Sequence, residues 1–355
     1  MKKIYLFLIF PLVLTGCTKW LDINDDPNNP KDIPMSMLLP EIERTVAATF
    51  NAGTGIGQDL GVYTHQLSTR ESANEYGVGG NEYYLNESWN FTYINVLQNI
   101  DMLLKKAETE NSPYYSGIAK ILKAYTFSEY VDIFGDLPFS QANKKSEGIL
   151  YPTFDKDSDI YPQLIELLDN GIADFDKDKG AIFPGSDDLI FSGSKTKWVN
   201  TANTIKLKMY NQLRLVDTSV KGKIEVLLSE NKLISSTGDG FMFPYSSQRT
   251  PFDERNPAMV DLYEATQKST HMSPWFFEIL KGINPVFKDI VDPRIPYYFY
   301  NQLNNTQTGK DGNQFEYRVG GFATIYFGSK GPDRDKSQDK SFSVYGIYPC
   351  GGRYD

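Results

Sequence analysis

Between residues 89 and 232 apolar side chains return every three or four positions, and nothing else in this 355-residue chain restricts its fold so strongly. From Trp89 the stripe runs through Tyr93, Leu97, Ile100 and Leu104. Between 114 and 134, Ile118, Ile121, Leu122 and Tyr125 share one face, and Tyr161, Leu164, Ile165, Leu168, Ile172 and Phe175 repeat the pattern. Trp198, Ala202, Ile205, Met209, Leu213 and Val216 do so again, with Ser194 placed to cap that helix. A further helix is expected from about Lys221 to Lys232. Each stripe must be buried against a neighbour. Helices joined by short links predict stacked hairpins, as in tetratricopeptide arrays, although no repeat of fixed period marks them.

Around this block the texture changes. Residues 18–40 are rich in Pro, Asn and Asp, a composition that favours turns and extended backbone, and they read as a tether. Leu38 to Phe50 opens a first helix. Residues 52–88 are full of Gly, Asn and Ser and read as surface loops. Beyond 236 come loops, prolines, aromatics and short β-like runs such as "FATIYF" at 322–327. The expected fold is therefore mainly α: a helical scaffold over about 89–235 and an irregular, loop-rich half over about 236–355.

Lys2 and Lys3 precede an apolar run of eleven residues, 4–14, too short for a membrane-spanning helix, which takes about 20. With the small residue Gly16 behind it, this is the layout of a secretory signal over residues 1–16. Leu14-Thr15-Gly16-Cys17 resembles the lipobox of bacterial lipoproteins, in which the Cys thiolate takes a diacylglyceryl group and the peptide is cut before it. Cys17 would then carry lipid into the outer membrane and begin a tether over 17–40. Each buried methylene contributes about 0.8 kcal/mol, so several acyl chains anchor durably where one does not. The alternative is a plain signal peptide with a coincidental cysteine. If Cys17 is acylated, Cys350 is left without a partner in a two-cysteine chain, and packing must supply the stability.

The formal charge of −9 becomes more negative by two once Lys2 and Lys3 are removed. Such an acidic chain, without basic runs or zinc-knuckle spacing, is not expected to bind nucleic acid. Asp155, Asp157, Asp159 and Glu166 fall at positions 1, 3, 5 and 12 of a calcium loop, but Ile160 stands where the sharp turn needs Gly. The stretch reads instead as an acidic helix start, with Pro162 in the first turns and Asp or Ser capping free N–H groups. His65 and His271 are the only histidines and lie at no metal-ligand spacing. No nucleophile elbow, metalloprotease helix, phosphate loop, cofactor motif or catalytic set is present. A glycoside hydrolase needs only two facing carboxylates, which leaves a surface hydrolase as the second reading and a structural surface protein as the third.

Taken in order, "WLDIND" after the lipobox, "YVDIFGDLPFSQA" (130–142), "DKDSDIYPQLIELLDNGIADF" (155–175), "KWVNTANTIKLKMYNQLRLVD" (197–217) and "DPRIPYYF" (292–299) resemble the SusD/RagB family of surface lipoproteins. The resemblance implies tetratricopeptide-like helix pairs with an irregular ligand-binding half, over residues 41–355. It implies capture of a glycan or similar nutrient, such as peptide, without catalysis, and delivery to a SusC-like TonB-dependent transporter in the outer membrane. Family members usually continue beyond "YPCGGRYD", so the chain is expected to be C-terminally truncated, with its last helix pair missing.

A sugar site needs an aromatic platform and planar polar groups for the hydroxyls. Aromatic residues make up 14% of the chain, enough to furnish a site as well as a core. Residues 66–89 offer Arg70, Asn74, Tyr76, Asn81, Tyr83, Tyr84 and Trp89, and "STHMSPWFF" (269–277) adds His271 and Trp275. The family often pairs an early Arg and Trp with later aromatics, which Arg70 and Trp89 match loosely. Trp89 can equally be the first core residue of its helix. Tyr83 and Tyr84, among glycines, are expected at the surface, Trp198 in the core, and Trp20 against the tether or the lipid interface.

Overall fold

Helices fill the block where the periodicity places them. The computed structural model describes residues 33–53, 55–69, 82–251, 253–264, 270–304, 315–329 and 341–346. The signal segment, Cys17, Trp20 and Cys350 lie outside the described residues. The scaffold comprises α1 (Met35–Thr49), α2 (Gly55–Tyr63), α3 (Glu82–Phe91), α4 (Gln98–Thr109), α5 (Pro113–Phe134), α6 (Asp157–Asp174), α7 (Lys195–Leu213) and α8 (Val220–Glu230). From α4 to α8 each helix packs on the next, the arrangement of a tetratricopeptide-like array. A π-helical stretch, Thr92–Leu97, joins α3 to α4, so the stripe that starts at Trp89 lies on one continuous rod.

The α5–α6 pair is the tightest of these contacts, and two glycines explain it. A Cβ on Gly117 would lie 2.9 Å from the Gly171 carbonyl oxygen, and one on Gly171 would lie 3.1 Å from that of Gly117. The backbones therefore touch where the sequence has no side chain. At the end of this seam Asp174 is buried and accepts hydrogen bonds from Lys120 (2.6 Å), Lys177 (2.6 Å) and Ser116 (2.7 Å). Burial alone would raise its pKa, but these donors outweigh it and hold the carboxyl below its ordinary value. Ile118, Ile121, Leu122, Leu164 and Leu168 are fully buried along the same seam, each contributing about 1.5–3 kcal/mol by leaving water.

Trp198 is fully buried, as its place on the stripe predicts, and it belongs to a second polar hub. Its indole donates to Asp188 (2.7 Å), which also accepts from the backbones of Ile190, Phe191 and Gly193. Glu43 of α1 enters this region and accepts from the Leu189 N–H (2.8 Å). Burial, and then the neighbouring charge of Asp188, push its carboxyl up to about 10, so it is neutral in the folded chain.

Several boundaries differ from expectation. α1 starts at Met35, inside the stretch read as extended, because Met35, Leu38, Leu39, Ile42 and Val46 form an apolar face that outweighs Pro34 and Pro40. Residues 52–88, read as loops, contain α2 and most of α3; the glycines at 55, 57 and 61 disguise the first, and Gly61 sits against Leu67. Ser194 stands at the start of α7 but makes no side-chain cap; its carbonyl accepts from the Trp198 N–H instead. At the start of α6 the cap comes from a distance, with Asp136 accepting from the Asp157 N–H (3.1 Å). Asp155 is engaged by the backbones of Phe139 and Ser140 and by the Ser140 hydroxyl, while Asp157 and Asp159 occupy the helix's first turn. The acidic stretch is thus a helix start rather than a loop wrapped on an ion.

The irregular half holds short elements: β1 (Leu67–Thr69), α9 (Pro257–Glu264), β2 (Thr270–Met272), α10 (Pro274–Lys281), α11 (Ile295–Tyr298), β3 (Phe299–Tyr300), β4 (Tyr317–Val319), β5 (Phe322–Thr324) and β6 (Val344–Tyr345). They form three antiparallel ribbons, β1–β2, β3–β6 and β4–β5. These surround an aromatic core in which Phe277 and Phe322 stack at 3.9 Å and 6°, with Phe299 edge-on to both. β1 follows the scaffold helix α2 yet pairs Leu67 with Met272 and Thr69 with Thr270, tying the two halves together. Among the described residues no helix is long and apolar enough to cross a membrane.

Candidate ligand-binding surface

Three rings from three distant stretches meet at the Leu67 end of the β1–β2 ribbon. His65 lies 4.6 Å from Trp275 and 5.1 Å from Phe327, and Trp275 lies 5.6 Å from Phe327. The ring planes are tilted by 34–38° to one another, which makes a shallow facet rather than a stack. Trp275 remains 37% exposed, enough to offer a ring face to a ligand, and Tyr326 beside Phe327 is also exposed.

Each ring is held by its local structure. Trp275 sits in the first turn of α10 behind Pro274, and Phe277, two positions on, points into the buried stack. Positions two apart face different sides of a helix, so burying Phe277 leaves Trp275 outside. His65 follows α2 in a left-handed conformation (φ 57°), donating its N–H to the Val62 carbonyl. Phe327 lies in the turn after β5, before Gly328 (φ 73°); Glu316 fastens that turn by accepting from the Tyr326 N–H and the Ser329 hydroxyl.

The expected site residues fall into three groups. Trp275 is on the facet. His271 is not: it lies in β2 opposite Ser68, is fully buried, and packs edge-on to Phe342, which corrects the expectation that it faces a ligand. Trp89 is half-buried among Tyr93 (5.0 Å), Phe134 (5.1 Å), Tyr130 and Phe154, so packing is the reading its contacts describe. Arg70, Asn74, Tyr76 and Asn81 lie outside the described residues. The backbones of Tyr83 and Tyr84 belong to α3, and their side chains lie outside the described part. His65 and Phe327 were not anticipated. Their contact joins positions hundreds of residues apart, and no local pattern announces it.

A separate cleft of about 750 Å³ opens between α1, α2 and the α3–π rod, lined by Arg44, Gln58, Asp59, Glu87, Asn90 and Ile94 among others. A smaller one of about 420 Å³ lies between scaffold and irregular half, walled by Phe50, Tyr125, Phe276, Tyr298 and Tyr345. The described residues bring together no group of three or more His, Cys, Asp or Glu side chains suited to a metal.

The chain belongs to the SusD-like family described as "Starch-binding associating with outer membrane", whose sequence profile matches residues 27–338. Among solved structures it is similar to a SusD homologue from Bacteroides uniformis (18% identity, TM-score 0.64) and covers 62% of that chain with 89% of its own. A SusD/RagB family protein from Bacteroides thetaiotaomicron is 21% identical with a TM-score of 0.65, with 88% of this chain covering 62% of that one. A chitin-binding SusD homologue from Flavobacterium johnsoniae is 22% identical with a TM-score of 0.59, over 86% and 60% of the two chains. At these identities the likeness establishes the fold. No curated protein matches the chain.

Proposed function

We propose that this protein is a lipid-anchored outer-membrane binding protein that captures a glycan on the Trp275 facet and delivers it to a SusC-like TonB-dependent transporter, without catalysis. The observation that carries this reading is the exposed Trp275 ring, flanked by His65 and Phe327 and backed by the rigid Phe277–Phe322 stack. A pyranose presents flat C–H faces that an aromatic ring can cover, while its hydroxyls stay at a wet rim. Membership of a family described as starch-binding supports a carbohydrate ligand. The lipobox-like Leu14–Cys17 supports anchoring through Cys17. Other roles proposed from sequence for Arg70, Asn74, Asn81, Tyr83 and Tyr84 would add polar and aromatic contacts to the ligand.

The test is titration calorimetry with starch and chitin oligosaccharides on the unmodified chain and on Trp275→Ala. Loss of one exposed stacking ring is expected to weaken binding roughly tenfold, on the order of the 0.5–1.5 kcal/mol carried by aromatic contacts beyond area burial, plus that area. The chain should remain folded, because the buried Phe277–Phe322 stack beneath Trp275 is left intact. Unchanged affinity for every glycan bound would remove the facet from the site. Release of reducing sugar would favour the hydrolase reading. In cells, Cys17→Ala should move the protein from the membrane to the soluble fraction, and retention in the membrane would rule out anchoring there.

A further inference from the structure

The larger cleft carries chemistry that the aromatic facet lacks. One wall is the first half of α2, the other the end of α3 and the π-helical stretch. A π-helical turn widens the backbone ring by one residue and is frequent at functional sites. Here it turns Ile94, 57% exposed, and Asn95 onto the cleft. Phe91, one residue before it, adds an apolar surface. Asn90 supplies an amide, and Asp59 and Glu87 supply carboxyls from opposite walls.

The charges in this cleft do not balance. Arg44 lines it too, but its guanidinium is committed to Glu41 by a two-pronged contact at 2.6 and 2.9 Å. No described residue gives Asp59 a hydrogen bond or a cation, and burial alone lifts its carboxyl to about 6. A half-buried carboxyl in the lining of a cleft, with amides and a second carboxyl also in that lining, suits a cation that also carries hydroxyls. An ammonium needs only hydrogen-bond acceptors and negative charge, both of which the lining supplies. The volume of about 750 Å³ is in the range of small-ligand sites.

We propose that this cleft binds a sugar bearing a free amino group, its ammonium between Asp59 and Glu87, its hydroxyls on Asn90 and Asn95, and one ring face against Phe91 and Ile94. The proposal stands apart from the Trp275 facet and does not depend on it. It adds a second site whose preference is for cationic sugars, so that a partly deacetylated or otherwise amine-bearing glycan would be distinguished from a neutral one.

The experiment is calorimetry on the full chain, solubilised in detergent, with glucosamine, glucose, N-acetylglucosamine and butylamine. Glucosamine should bind at least fivefold more tightly than each of the other three, since only it combines ammonium and hydroxyls. Asp59→Asn should reduce glucosamine affinity at least fivefold and Glu87→Gln by about twofold, the more exposed charge being better screened. Glucose or N-acetylglucosamine binding as tightly as glucosamine would overturn the role of the ammonium. Butylamine binding as tightly would overturn the role of the hydroxyls. Absence of glucosamine binding would overturn the site altogether. Should Asp59→Asn fail to fold, the same comparison of the four ligands on Trp275→Ala, which removes the facet's ring, decides the matter.

Discussion

The scaffold and the irregular half solve the same problem, burying aromatic and aliphatic surface, by opposite means. From α4 to α8 each helix meets the next in the chain, so the contacts are short-range and the seams regular. In the irregular half, two of the three ribbons pair segments far apart, Leu67 with Met272 and Phe299 with Tyr345, while β4–β5 is a local hairpin. Local contacts order a chain at small entropic cost, whereas distant ones must first close long loops. The facet is built on the second kind. What the contrast teaches is that the exposed facet depends on the half of the molecule whose order is hardest to obtain, while the regular half acts as a frame.

That contrast can be broken experimentally. Phe322→Ala removes one ring of the central stack and should cost about 3–5 kcal/mol. Amide hydrogen exchange should accelerate across 270–304 and 315–327 and leave α4 to α7 protected. Equal acceleration in the scaffold helices would show that the halves unfold as one unit. Next in size is Glu43→Gln. The folded chain holds a proton on Glu43 up to pH of about 10, which the unfolded chain releases near the ordinary carboxyl value of 4.5. Stability is therefore lost progressively as pH rises between those values. Gln keeps the acceptor for Leu189 and removes the titration, so the variant should be about 2–4 kcal/mol more stable at pH 8 and similar to the parent near pH 4.5. Urea unfolding at the two pH values measures this, and parallel stability–pH curves for variant and parent would refute it. The smallest effect is expected from Gly171→Ala. An added methyl must push the α5–α6 backbones apart by a few tenths of an ångström, costing about 1–2 kcal/mol in thermal denaturation. A stabilised variant would mean the seam yields freely.

The same contrast explains what could be read in advance. α5, α6 and α7 were visible because their stripes are consecutive and end in turn residues, and Trp198 was placed correctly by its stripe alone. α2 was hidden by glycines whose reason is contact: Gly57 against the Phe50 carbonyl and Gly61 against Leu67. His271 misled because β2 is buried on both faces, so strand alternation gives no sign of which side chains face water. Trp275 stood out as a large aromatic in a loop-rich stretch, but the His65 and Phe327 rings that make it a facet come from chain segments with no shared pattern. Packing of neighbours in sequence is legible there; closure between distant segments is not.

The β1–β2 pairing also sets an order of events. The chain is made from its N-terminus, so α5 to α7 can dock while residue 272 is still on the ribosome. β1 has no partner strand at that moment, and His65 has neither Trp275 nor Phe327 to meet. The facet is thus assembled late, by arrival of the distal segments. The frame can therefore be complete before the facet exists, and the facet closes only once residues as far along as Phe327 have been made.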